Sequence, residues 1–337
     1  MKKKIFVFSL VIFLFFYFIY VIGIEDIVVT MQLLNFRVLV SVFLITVITG
    51  LLDCFKWNLL LRKIKKIKFL KLVPVFFSGE FFNAMTPGAK SGGEIVKAHY
   101  TSKLSGISQS RIYATIILDR SILMFVFFIL LIFSVTYTML FLKMPFAVTE
   151  IFRVIVGFFV VLSMVVIIIK KKIGKKKHES FYRLLNYIYH FRFLEFIRTR
   201  FETYKAFENF VLEIFNEFLE SLKFLLEHKK GVAVNVLFSI IILFFGFFKV
   251  WLIFAGLGFS LGIIPLVIVL TLGGAVSYIM LTPGGAGVTE MVLISLYVAV
   301  GVDIHVAATV AIIDRAMCYL VNVLGGYVAT IYLKMKY

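Results

Sequence analysis

Long apolar runs broken by short basic clusters set the outline of this chain. Six runs, at residues 5–22, 38–61, 112–140, 151–169, 232–257 and 306–333, are each close to or beyond the ~20 apolar residues needed to cross a bilayer. Six spanning helices are predicted there. Two further segments, 72–96 and 263–300, are also apolar but carry Pro, Gly and Glu in their middles. A simple spanning helix does not tolerate that interruption; a pair of half-helices buried in protein does. Each is predicted as a re-entrant hairpin. Between His178 and Lys230 the pattern changes again. Tyr204, Phe207, Val211, Phe215, Phe218, Leu222 and Leu225 recur at three- and four-residue steps, with Glu208, Glu213, Glu217 and Glu220 between them. That is the period of an amphipathic helix. The expected organisation is a first membrane half (1–177), a helical insert (178–230) and a second membrane half (231–337).

Charge fixes the direction of each span. Lys2 to Lys4 precede the first run. Arg62, Lys63, Lys65, Lys66, Lys68 and Lys71 follow the second, and a lysine cluster from Lys170 to Lys177 follows the fourth. Under the positive-inside rule these lie in the cytoplasm, as do both termini. The 72–96 hairpin has basic flanks on both sides, so it enters from the cytoplasm. The flanks of 263–300 carry no Lys or Arg, so it enters from outside. The fold class expected is an all-α integral membrane protein with about six transmembrane helices and two re-entrant hairpins in an inverted-topology repeat. Trp57, near the end of its span, suits the aromatic belt at the membrane surface.

Composition agrees. The chain is 62% apolar and only 16% charged, where a soluble domain carries roughly a quarter charged. The net charge of +18 is explained by the cytoplasmic clusters and is read as no sign of nucleic-acid binding. Cys54 and Cys318 sit inside apolar runs with no neighbours at metal-ligand spacing, and read as free thiols. The Lys-rich N-terminus resembles a signal peptide, but no small-residue cleavage site follows its apolar run, so an uncleaved first span is expected.

Each hairpin carries a version of one peptide. Thr86-Pro87-Gly88 is followed by Gly92, Gly93 and Glu94; Thr282-Pro283-Gly284-Gly285 is followed by Gly287 and Glu290. Downstream come Gly106 and Gly301, then Asp119-Arg120 and Asp314-Arg315. Pro and Gly break a helix, and the helix that restarts presents unbonded N–H groups and a positive dipole end. Two inverted hairpins bring two such ends together, a device that attracts an anionic group. Glu94 also fits a capping box with Ser91, and Glu290 does not, because Gly287 stands at the capping position.

The two Asp-Arg pairs lie inside spans, where a charge costs a few kcal/mol and needs a partner. Adjacent residues on a helix point to different sides, so Asp and Arg do not simply neutralise each other. Arg120 and Arg315 are expected to face the hairpins. There they either pair with Glu94 and Glu290 as structural pins or bind a phosphate, which suits arginine geometry. Lys249 is mid-span, with no close equivalent in the first half; Lys56 is nearest. It is either functional or snorkels beside Trp251. Glu80, Asn83 and Lys97 occur in the first half only.

The motifs N-x-x-T-P-G-x-x-x-G-G-E at 83–94, Asp119-Arg120, P-G-G-x-G-x-x-E at 283–290 and Arg315 resemble the lysylphosphatidylglycerol synthase transmembrane-region family, also called the flippase-like domain family. The resemblance covers nearly the whole chain. It implies a membrane region that moves a lipid between leaflets, in a stand-alone member without the soluble synthase domain. Where members commonly carry Glu-Arg, both copies here are Asp-Arg. The function expected is translocation of an anionic phospholipid or lipid-linked headgroup in the cell membrane. The alternative is a non-catalytic membrane partner of a glycosyltransferase or lipid-modifying enzyme. No nucleophile–base set, P-loop or metal motif is legible, so neither enzyme chemistry nor a cofactor is expected.

Overall fold

The computed structural model describes residues 24–86, 92–141, 203–279 and 285–337. Among them every regular element is helical. In chain order these are α1 (Ile24–Gln32), α2 (Phe36–Ile64), α3 (Phe69–Met85), α4 (Gly92–Ser105) and α5 (Gln109–Phe141). Then come α6 (Tyr204–Glu227), α7 (Lys229–Gly256), α8 (Ile263–Ile279) and α9 (Val288–Ala299). The chain closes with α10 (Ile304–Tyr319), a π-helical turn (Leu320–Gly325) and α11 (Gly326–Lys336). The spans expected at 5–22 and 151–169 lie outside the described residues.

Four elements are long and apolar enough to cross a membrane: α2, α5, α7 and the continuous rod from α10 to α11. They coincide with the spans expected at 38–61, 112–140, 232–257 and 306–333. The protein is an all-α, multi-pass membrane protein. At 1.5 Å per residue, the 12-residue α9 is only ~18 Å long, well short of the ~30 Å hydrocarbon core.

The chain divides into two compact units, Met1–Leu142 with Leu222–Tyr337, and Lys143–Ser221. Of the second unit, only residues 203–221, within α6, are described. The amphipathic stretch is helical there, as its period predicts.

Within the first unit, α2 and α7 pack antiparallel. Gly256, at the end of α7, lies against Leu34, just before α2, and Val38 at its start, and Gly231, near the start of α7, lies by Lys63 at the end of α2. Asn35 starts α2 by accepting a hydrogen bond from the Arg37 amide at 2.9 Å. Arg62 and Lys63 lie in its last turn, where cations suit the dipole. The Lys65 ammonium donates to the Ser105 carbonyl, which ties the end of α4 to the end of α2. Lys103 donates to the carbonyl of Tyr337 at 3.2 Å, which brings the C-terminus to the same place. The α3–α4 pair thus starts and finishes at this basic end. The α8–α9 pair starts and finishes at the other end, where Tyr297 of α9 packs on Phe254 of α7 at 5.1 Å between ring centroids.

Each pair is a tight hairpin. In the first, the Gly93 amide donates to Asn83 Oδ1 at 2.8 Å. A Cβ on Gly93 would run into the Gly79 carbonyl, so only glycine allows this approach. In the second, the hydroxyls of Ser277 and Thr289 meet at 3.0 Å, and Gly273 makes room for Leu293.

Two expectations are corrected. Trp57 is not at the surface: it is 2% exposed, and its indole N–H donates to Thr115 Oγ1 of α5 at 3.1 Å. Packing against α5 outweighs the interfacial preference because Thr115 supplies the partner that a buried indole needs. The last span is not one regular helix either. It is interrupted by the π-helical turn, which ends at Gly325 and is followed by Gly326.

Candidate functional site

Helix spacing assembles the charges of the first half. Asp53 and Lys56 lie three residues apart on α2, and Glu94 and Lys97 do so on α4, so each pair shares a helix face. Asp119 and Arg120, adjacent on α5, point apart and go to different partners. Arg120 Nε bonds Glu94 Oε1 at 3.1 Å, Nη2 bonds Glu80 Oε1 at 2.9 Å, and Nη1 is 3.5 Å from Asp53 Oδ2. Lys97 Nζ lies 2.7 Å from Glu80 Oε1 and 3.7 Å from Glu94 Oε1, with the Phe76 ring beneath it at 4.4 Å. Asp119 turns instead to Lys56 at 3.4 Å and accepts from Asn235 of α7 at 2.8 Å. Lys56, fully buried, also reaches Asp53 at 3.1 Å and Ser239 at 3.5 Å.

The second half repeats the core of this arrangement. Arg315 Nε bonds Glu290 Oε1 at 3.1 Å, the distance seen for Arg120 and Glu94. Its Nη2 donates to the Tyr319 hydroxyl at 3.0 Å. Lys249 Nζ lies 2.6 Å from Asp314 Oδ1 and donates to Cys318 Sγ at 3.2 Å. Lys249 is therefore not snorkelling: it is 8% exposed and paired across to α10. It has an equivalent after all. Lys56 pairs with Asp119 as Lys249 pairs with Asp314, and both cations lie on the helix that precedes their hairpin.

The sequence-expected residues divide as follows. Glu94, Arg120, Glu290 and Arg315 come together as two pairs, and Asp119, Asp314 and Lys249 join them through the lysine contacts. Glu94 places Oε1 on Arg120, a partner outside its own helix. Asp is long enough in both copies, as the lysine distances show. Thr86 caps α3 and donates to the Phe82 carbonyl at 2.7 Å. Gly92 packs against the Thr86 side chain, and Gly93 makes the close approach to Gly79. Gly285 and Gly287 have φ of +72° and +84°, conformations that favour glycine before α9. Pro87, Gly88, Thr282, Pro283 and Gly284 lie outside the described residues.

A small cavity of about 50 Å³ lies between the halves, lined by Glu80, Asn83, Arg315, Cys318, Tyr319 and Asn322. At ~10–15 Å³ per water it holds a few waters and no headgroup. Its walls join the two clusters: Glu80 belongs to the first and Arg315 to the second. Among the described residues no group of three His, Cys, Asp or Glu side chains is placed to hold a metal ion.

Sequence reasoning gave no role to Asp53, Asn235, Tyr319 or Asn322, and treated Lys56 only as a neighbour in number. The available signal was polarity in mid-span, since each is a polar group within a membrane-length helix or the turn that interrupts one.

Known membrane proteins match this chain in sequence. The family model described as the lysylphosphatidylglycerol synthase TM region matches residues 4–326. A UPF0104 membrane protein of Pyrococcus horikoshii is 28% identical over 309 residues, covering 90% of each chain. One from Methanocaldococcus jannaschii is 25% identical over 321 residues, covering 94% of this chain and 90% of its own. A third, from Methanothermobacter thermautotrophicus, is 23% identical over 295 residues, covering 86% and 83%. With its match spanning both hairpins and both Arg–Glu pairs, the chain belongs to the lysylphosphatidylglycerol synthase TM-region family.

Proposed function

We propose that this protein moves a lipid with an anionic headgroup between the leaflets of the cell membrane, with its termini and basic clusters facing the cytoplasm. In this reading the α3–α4 and α8–α9 hairpins are re-entrant, enter from opposite sides and form an inverted repeat. The observation that carries it is the matched pair of Arg–Glu contacts at 3.1 Å, each joining the second helix of a hairpin to the next long helix. Ion pairs at that depth are costly and mark pathways for polar cargo.

The two arginines have different roles here. Arg120 is engaged by three carboxylates and holds the first hairpin in place. Arg315 bonds Glu290 and Tyr319 and lines the cavity, and that position on the cavity wall makes it the guanidinium placed to receive a phosphate. The small cavity is the closed state, and passage requires α3 to part from the α10–π-turn rod.

The test is transbilayer exchange in vesicles. Purified protein is reconstituted with headgroup-labelled phosphatidylglycerol or phosphatidylcholine, and outer-leaflet label is quenched chemically. The proposal expects faster exchange of the anionic lipid than in protein-free vesicles. Rates equal to protein-free vesicles for both lipids contradict it.

A further inference from the structure

An apolar groove runs beside the cavity, and nothing so far assigns it a role. It measures about 660 Å³, within the ~300–1,000 Å³ range of small-molecule sites. Its walls include Phe43 of α2, Pro74 and Phe77 of α3, Leu324 of the π-turn, and Val328 and Tyr332 of α11. All belong to the first compact unit.

Two helix irregularities build it from opposite sides. Pro74 removes a backbone donor inside α3 and disturbs its packing. The π-turn widens the facing rod, a feature frequent at functional sites. Just below, Gly326 brings α11 onto α3 so closely that a Cβ would run into the Phe77 carbonyl. The groove is therefore an opening between helices that are otherwise in tight contact.

The groove and the polar cavity lie along one helix face. Val73 and Phe77 line the groove; Glu80 and Ala84 line the cavity. The steps of four, three and four residues make a single stripe on α3, apolar toward the basic end and polar deeper in. The π-turn does the same on the facing wall, with Leu324 on the groove and Asn322 on the cavity. The open side is exposed, with Val328 66% and Leu324 59% accessible, and on membrane-spanning elements that side meets hydrocarbon. At the basic end Tyr332 closes the groove, and its hydroxyl accepts from Lys336 Nζ at 2.9 Å. An exposed ammonium thus stands at the mouth.

We infer that this groove is the lateral entry site for the cargo. One acyl chain of an anionic phospholipid from the leaflet at the basic end lies in it, with the phosphate at Lys336 and the inner end of the groove opening on the Arg315 cavity. Charge at the mouth, apolar walls and the polar continuation match the three parts of such a lipid in order. The inference rests on the translocator reading, because it supplies the lipid that reading moves.

Photolabelling of the full chain tests it. Phosphatidylglycerol carrying a diazirine in its acyl chain is incorporated into protein-containing vesicles, irradiated, and the labelled peptides are mapped. Label is expected to concentrate on residues 73–77 and 320–332, above the exposed Phe125 and Ile132 of α5 and Leu237 and Phe244 of α7. Val328→Trp, which fills the groove from its exposed side, is expected to return that label to the level of α5 and α7. Lys336→Gln is expected to lower it about fivefold, the worth of one lysine at an anionic surface. Even labelling of all lipid-facing helices overturns the inference, as does cross-linking of the groove to a second copy of the chain. Failure of the two ideas is separable. Exchange of lipid without groove labelling removes the entry site and leaves the translocator. Groove labelling without exchange keeps the lipid site and removes the translocator.

Discussion

The two halves build the same pair of contacts and load them differently. In each, a lysine before the hairpin meets the Asp of an Asp-Arg pair, and the Arg meets the hairpin Glu. In the first half three more charges join: Asp53, Glu80 and Lys97 all lie within ion-pair reach of the set. At the Glu94-to-Glu290 offset of 196 residues, Glu80 and Lys97 fall on the apolar Val276 and Leu293. The first-half set holds four carboxylates (Asp53, Glu80, Glu94, Asp119) against three cations (Lys56, Lys97, Arg120). Among the described residues, the second-half contacts join Lys249 to Asp314 and Arg315 to Glu290. Duplication made a matched scaffold. The added charges set Arg120 among three carboxylates, whereas Arg315 bonds Glu290 and Tyr319 and lines a cavity.

The largest effect expected from this difference is on folding. Arg120→Ala leaves Asp53, Glu80 and Glu94 without their shared cation. The loss is expected to be about 3–5 kcal/mol, as for other broken buried pairs. It would be read as a large fall in Tm, or loss of monodisperse protein, in detergent. A Tm within a degree or two of wild type would remove the pinning role.

The lysine–aspartate contacts come next. Double-mutant cycles of Lys249→Met with Asp314→Asn, and of Lys56→Met with Asp119→Asn, measure the two couplings. Each is expected to fall within about 0.5–3 kcal/mol. The Lys249 cycle should carry the larger share of its single-mutant cost, because Lys56 divides its contacts between Asp53 and Asp119. Zero coupling in either cycle would break the proposed equivalence of Lys56 and Lys249.

The smallest effect is the control. Gly106 and Gly301 occupy matching positions with φ of +68° and +90°, and a Cβ at either meets nothing within 4 Å. Gly106→Ala and Gly301→Ala should each cost only the backbone strain, about 1–2 kcal/mol, and by similar amounts. A large difference between them would mean that the halves diverge in backbone as well as in charge.

Much of this was legible in the sequence because the repeat is visible there. The offset of 196 residues from Glu94 to Glu290 and of 195 from Arg120 to Arg315, one deletion apart, led to both Arg–Glu pairs, and the i, i+1 argument separated each Asp from its Arg. Lys56 escaped because its separation from Lys249 differs by two residues from that of the Asp-Arg pairs. The two lysines correspond by contact and not by count. Trp57 was misplaced because its type favours an interface, and only the folded chain shows Thr115 beside it. The π-turn left little trace: a shift in hydrogen-bond register changes no residue type, and Gly325-Gly326 alone does not specify it. The groove was illegible for the same reason, since it exists only where that turn faces Pro74.

The central claim is that Arg120 pins and Arg315 receives cargo. Arg315→Gln keeps a polar side chain beside Glu290 and Tyr319 and removes the charge. The deciding measurement is lipid exchange by this variant in vesicles, beside its Tm and that of wild type. A folded variant that no longer accelerates exchange of the anionic lipid is the predicted result. A folded variant that exchanges lipid at the wild-type rate would contradict it and return Arg315 to a structural contact.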